Sequence, residues 1–394
     1  MRLLIISLME GEPWGGSEEL WYRVAVHAHA KGDTVNVCVR KWSLVPDKLL
    51  QLEHKGVKVI YRNYGILLKP RQAYGISIAG SVFNTIRKTF KISRLNFLTY
   101  DRYDHVLISF GGAYDLFLHR DLFSRLMQEK VPYSIIQQHN AENVYLDNGK
   151  RKYARSVYSN AAQLYFVSKR NLETTCRNLV AKLDHARVIS NPANMDEYEF
   201  KIPYNREGPI SFACVARLDT GIKNQDMLLE CVSRPEWRSR DFIINIYGRG
   251  DGEDYLKELI EFYRLESKVN LCGHVRDVKE IWRNNHILVL PSSSEGSPLS
   301  VIEAMYCARP VIVTDVGGNS ELVDGSCGFL IPGITVDGIN EALNKVWDKR
   351  HDWESMGAAA YQRIVKIHDR NSHEYIYETI KKNEEKKRRR DDNN

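Results

Sequence analysis

The sequence predicts an α/β protein built from two doubly wound parallel-sheet domains in tandem. Three observations predict it. Short apolar runs alternate with amphipathic stretches along most of the chain, as repeated strand–helix–strand units do. That alternation breaks once, near residue 190, and then restarts. At 394 residues the chain is longer than one core usually serves, and a 43% hydrophobic share can fill two.

The elements follow in order. Residues 3–8 read as a strand, and 17–31 as a helix with apolar residues at helical spacing. Strands at 34–40, 57–61, 105–110, 133–137 and 163–168, with helices between them, complete a first domain at 1–190. Residues 191–208 are polar, contain Pro192 and Pro203, and have no clear period, so they read as a linker. A second domain at 209–366 carries strands at 209–215, 241–247, 268–272, 287–290, 310–314 and 328–331. Its helices are expected at 224–233, 251–265, 299–307 and 336–347. Residues 367–394 hold a last amphipathic helix, at 368–382, suited to packing back on the first domain, and a frayed basic tail. Sheets of this kind bind ligands beyond the carboxyl ends of their strands, and two such domains facing a cleft form a substrate site.

Composition narrows the function classes. No apolar stretch approaches the length that spans a bilayer. The apolar run at the N-terminus is short and is followed by acids and a glycine pair, unlike a signal peptide, so a cytoplasmic location is expected. Seven cysteines are scattered without a CxxC pair and read as buried reduced thiols. The net charge of +6 is concentrated around residues 69–102 and in the tail at Arg388, Arg389 and Arg390, which suits an anionic partner. The segment 77–94 mixes Ile, Val and Phe with Arg87, Lys88, Lys91 and Arg94. It fits either peripheral contact with an anionic membrane or the solvated face of an ordinary helix. Nucleic acid is not expected as a partner, because no recognisable module or interleaved aromatics accompany the basic residues.

The densest signal lies between Pro291 and Pro332. A strand ends, a small-residue loop follows, and a helix starts near Leu299, where backbone N–H groups and the helix dipole suit a diphosphate. Glu295 and Glu303 bracket this turn with seven residues between them, and carboxylates accept hydrogen bonds from sugar hydroxyls. Taken alone, Glu295 reads rather as a capping acid, Glu303 as a helix-surface acid, and Gly317-Gly318 as only a turn.

The order Glu295, Glu303-Ala304-Met305, Pro310-Val311-Ile312, Gly317-Gly318, Glu321 and Gly328-Phe329-Leu330 resembles glycosyltransferase family 4, the retaining family of GT-B fold (glycosyl transferases group 1). The resemblance is strong from Val215 to Pro332 and thin from Glu19 to Asp184. It implies two Rossmann-like domains facing a central cleft. It also implies transfer of a sugar from a UDP- or GDP-linked donor to a glycan or lipid-linked acceptor of cell-surface polysaccharide synthesis. By resemblance Glu295 contacts the donor sugar, Glu303 the ribose, and the amides near Ser297, Leu299 and Ser300 the diphosphate. Arg217 and Lys223 stand where the family places two cations on the diphosphate, although Asn224 replaces the usual glycine and the spacing is one residue longer.

Gly248, in Tyr247-Gly248-Arg249-Gly250, and Val275, a base contact, fall in family order. Gly15 and Gly16 match the family's first glycine loop, and His139 its strand-end histidine facing the donor sugar. A plain turn and a satisfied strand-end histidine are the alternatives for these two. No Asp-x-Asp pair stands where a sugar-diphosphate metal needs one, so metal-independent chemistry without a cofactor is expected. A catalytically silent scaffold on the same fold, and a sugar-nucleotide hydrolase or epimerase, are the rival readings.

Overall fold

The computed structural model describes residues 1–62, 95, 98–139, 144–195 and 208–391. Its chain forms two compact units. One comprises Met1–Phe166, Leu172–Ile189 and Asn371–Asn394; the other comprises Val167–Asn171 and Ser190–Arg370. The membrane-type segment 77–94, Asn140 and most of the expected linker lie outside the described residues.

In the first unit the described strands are β1 (Arg2–Ser7), β2 (Thr34–Arg40), β3 (Lys58–Arg62), β4 (His105–Phe110), β5 (Tyr133–Gln137), β6 (Gln163–Phe166) and β7 (Ala186–Val188). They pair in parallel in the order β3-β2-β1-β4-β5-β6-β7. β4 is buried at every position, as expected of a strand covered on both faces. The helix Gly16–Ala30 buries Leu20, Trp21, Val24, Ala25 and Ala28, a stripe at three- and four-residue intervals. Ile376, Tyr377 and Ile380 of the C-terminal helix Ser372–Asp391 join the same cluster. One turn further, Glu384 Oε1 lies 3.2 Å from His105 Nδ1, and His105 Nε2 lies 3.0 Å from Ser134 Oγ, all three side chains being buried. This polar contact sits at the amino end of β4, away from the strand ends where ligands bind.

The helix runs through residues 383–391, where a frayed tail is expected. Lys386 to Arg389 are solvated there yet helical, and acids at 384 and 385 precede Arg388 and Arg389 by one turn, the spacing that supports a helix.

In the second unit β8 (Ile210–Val215), β9 (Phe242–Tyr247), β10 (Val269–Gly273), β11 (Ile287–Leu290), β12 (Val311–Thr314) and β13 (Gly328–Ile331) pair in parallel in the order β10-β9-β8-β11-β12-β13. In both sheets the strand order reverses beside the first strand, the position where doubly wound sheets open a crevice for ligand. No described helix is long and apolar enough to cross a membrane. Five of the seven cysteines are buried, Cys176 is half-buried and Cys272 is exposed. Burial pushes the Cys214 thiol up to about 12, so it is inert as a nucleophile.

Candidate functional site

The reversal point of the second sheet lies between β8 and β11, and the loops leaving those strands carry most of the predicted residues. Arg217 follows β8, and its guanidinium bonds Asp219 at 2.5 Å. A single helical turn, Thr220–Lys223, then presents Lys223. The loop after β11 presents Glu295, whose Oε1 accepts from Lys223 Nζ at 2.6 Å. Both side chains are largely shielded, at 17% and 8% exposure, so the pair is screened far less than one on the surface.

Asn224 turns the chain between the helical turn Thr220–Lys223 and the helix Gln225–Val232. It sits in the left-handed region, at φ 51° and ψ 36°, where asparagine is tolerated. Its buried amide donates to the Pro291 carbonyl at 2.8 Å. Ser293 N–H donates to the Ile222 carbonyl at 2.7 Å. The two loops are therefore tied together by backbone and amide bonds, which fix the separation of Lys223 and Glu295.

Gly248 and Gly317 are required where they stand. Gly248 has φ 146°, and a Cβ there would lie 1.9 Å from the Ala216 carbonyl oxygen. Gly317 has φ 52°, and a Cβ there would lie 2.0 Å from the Glu295 carbonyl oxygen. Gly318 N–H donates to the Gly296 carbonyl at 2.7 Å. The glycine pair is thus a seat for the Glu295 loop, not merely a turn.

The helix Leu299–Tyr306 begins after Pro298 with no side-chain cap, and its backbone bonds to Pro298 start at Val301. The N–H groups of Leu299 and Ser300 are those a helix start leaves for an anion. The Ser297 carbonyl accepts from Asn191 at 3.5 Å. Glu303 is buried, so it is no surface acid, and its Oε1 accepts from Asn194 N–H at 3.1 Å. Val275, after β10, packs half-buried against the core containing Tyr247 and Val278. Beside it, burial and then the charges of Arg249 and Arg276 lower the His274 pKa, a sign of positive potential at these loop ends.

The remaining candidates belong to the first unit. Gly15 precedes the helix Gly16–Ala30 with an extended backbone, and a Cβ there would meet only the end of the flexible Glu12 side chain, at 3.0 Å. Backbone conformation therefore does not require glycine at 15. His139 lies half-buried after β5; its carbonyl is held by the Gln137 amide. Gln138 donates to the Ser17 carbonyl at 3.1 Å, joining the loop after β5 to the first turn of the helix Gly16–Ala30.

Sequence reasoning missed Glu18, in the first turn of the helix Gly16–Ala30. It is buried and accepts from Ser7 Oγ at 2.8 Å. Desolvation pushes its carboxyl from the ordinary 4.5 up to about 7. Between those values the folded chain holds a proton that the unfolded chain has lost. Stability conferred on the fold thus declines as pH rises from about 4.5 through about 7, by ~3 kcal/mol at most. Glu18→Gln is expected to flatten this dependence and to be more stable than wild type at about pH 8, as urea denaturation at about pH 5 and about pH 8 would read. An unchanged slope would show that another group sets it.

Residues 195–363 match the sequence model of the family described as glycosyl transferases group 1. An uncharacterised glycosyltransferase of Methanocaldococcus jannaschii is 27% identical over 199 residues, 46% of this chain and 50% of the relative. The chain spans half the length or less of the first curated relatives it matches. Among solved structures, Anabaena HepE in complex with UDP superposes with a TM-score of 0.70 at 16% identity, covering 97% of this chain and 100% of that one. Sucrose-phosphate synthase of Thermosynechococcus elongatus gives 0.72 at 16% identity, covering 97% and 99%. At such identity these likenesses speak for the fold. Residues 195–363 are thus similar to the glycosyl transferases group 1 family, in a chain of GT-B fold.

Proposed function

We propose that this chain is a retaining glycosyltransferase that moves a sugar from a nucleoside-diphosphate sugar to an acceptor hydroxyl. The observation that carries the reading is the Lys223–Glu295 pair, seated by Asn224 and Gly317 at the reversal point of the second sheet. Lys223 and Arg217 stabilise the negative charge that grows on the departing diphosphate, together with the N–H groups of Leu299 and Ser300. These fixed donors do the work that a metal would otherwise do. Glu295 orients the sugar hydroxyls and Glu303 the ribose. Val275 lies along the base.

In the transfer, the bond from the anomeric carbon to the diphosphate oxygen breaks. A bond from the acceptor oxygen forms on the same face, and the acceptor proton passes to the departing phosphate oxygen. The protein contributes orientation and electrostatic support. UDP is the first nucleotide to test, because HepE was solved with it; GDP is the second. The acceptor is a glycan or a lipid-linked saccharide of cell-surface polysaccharide synthesis, met in the cytoplasm or at the inner face of the membrane.

The test is an acceptor screen with UDP- and GDP-sugars, with the product read by proton NMR. A new glycoside with the donor's anomeric configuration supports the reading. An inverted product overturns retention, and donor turnover to free sugar with every acceptor favours a hydrolase.

A further inference from the structure

The first unit carries a group of side chains that the donor chemistry does not use. His27 lies in the last turn of the helix Gly16–Ala30. His373 and Glu374 lie in the first turn of the C-terminal helix Ser372–Asp391, just after the chain re-enters the first unit at Asn371. His27 Nδ1 and His373 Nε2 each lie 4.0 Å from Glu374 Oε1. Both distances are beyond hydrogen-bond reach. One ligand atom from each residue falls within 4.8 Å of the others, the one such trio among the described residues.

From this geometry we infer that His27, His373 and Glu374 bind a divalent transition metal of the zinc type, which clamps the start of the C-terminal helix to the end of the first helix. Two imidazoles and a carboxylate are a donor set that suits Zn²⁺, with a fourth position left for water. In a tetrahedral site with metal–ligand bonds of about 2.0–2.1 Å, ligand atoms stand about 3.3 Å apart. Metal binding therefore requires the ligand atoms, now within 4.8 Å of one another, to close by side-chain rotation.

The rings are already oriented. His27 packs edge-on against Tyr377 at 5.1 Å between centroids and against His373 at 5.7 Å. The two histidine side chains are 18% and 16% exposed, so less rotamer freedom is lost on binding than at open surface histidines. Glu374 is about half exposed, which leaves the site open to solvent and to metal exchange. The clamp joins residues far apart in sequence and closes a long loop, so its effect appears in stability, with catalytic residues untouched.

The test uses the full chain, free of any affinity tag and stripped with a chelator. It is titrated with Zn²⁺ by calorimetry at neutral pH, and with Co²⁺ followed by visible absorption. The expected result is one Zn²⁺ per chain, a raised melting temperature at saturation, and Co²⁺ bands free of thiolate charge transfer. His27→Gln and Glu374→Gln each weaken binding by about tenfold or more. Glu374→Gln is a near-isosteric change at a half-exposed position, so it keeps the metal-free melting temperature and the test stays interpretable. No binding up to millimolar metal overturns the proposal. So does affinity unchanged in both variants, or a thiolate band, which would place the metal at a cysteine such as the exposed Cys272.

Discussion

Lys223→Ala is expected to lower kcat/KM for the sugar nucleotide by about 10²–10³-fold, the loss typical of removing one fixed donor to developing charge. The substitution has a second consequence that separates structure from chemistry. Glu295 is only 8% exposed, and without Lys223 its carboxylate loses its partner. That costs about 1–3 kcal/mol of stability, the penalty for a shielded charged group left unsatisfied. Converting Glu295 to the neutral amide in the same chain, Lys223→Ala/Glu295→Gln, is expected to return most of that stability and none of the activity. The two single substitutions should therefore be non-additive in denaturation, as contacting residues are. Additive stability effects, or activity within a few-fold of wild type in Lys223→Ala, would remove this pair from the mechanism.

The second large effect is expected at a position without charge. Gly317→Ala places a methyl group 2.0 Å from the Glu295 carbonyl oxygen, on a backbone with φ 52°. The left-handed conformation alone costs an ordinary residue about 1–2 kcal/mol. The collision requires the Glu295 loop to move as well, so the total expected destabilisation is about 2–4 kcal/mol. Because Gly318 N–H holds the Gly296 carbonyl, a shift at 317 carries the loop with it. Gly317→Ala should therefore weaken nucleotide-sugar binding even at temperatures where the variant remains folded. A variant that melts lower yet binds as wild type would show that the glycine pair serves folding alone.

Much of the fold is legible in the sequence because many of its strands are short, mostly apolar runs. The stretches 105–110, 133–137, 287–290 and 328–331 coincide with β4, β5, β11 and β13. β7 escaped notice because it is three residues long, at a sheet edge, with Arg187 and Val188 exposed. The last helix runs past the expected 382 because a stretch of Lys, Glu and Arg reads as a solvated tail, whereas acids one turn ahead of cations also support a helix.

The site divides along the same physical line. The spacing of Glu295 and Glu303 is local and visible in the chain. The bond from Glu295 to Lys223, 72 residues away, is set by strand order, which local pattern does not carry. Asn224 looks like a departure from the family pattern until its left-handed backbone and its bond to Pro291 supply the reason. Gly317 reads as a turn until the carbonyl it faces is known. Glu18 gives no sequence signal beyond an acid in a helical first turn, because its raised pKa comes wholly from burial.

The central claim is that the loops after β8 and β11 hold a nucleoside diphosphate through Arg217 and Lys223. It is tested most directly by thermal shift of wild type and Arg217→Ala against UDP, GDP and ADP and their sugars. A ligand that binds the folded chain must raise its melting temperature. The predicted result is stabilisation of wild type by one nucleotide family, with that shift lost or sharply reduced in Arg217→Ala. No shift at millimolar ligand, or an equal shift in both proteins, would contradict it.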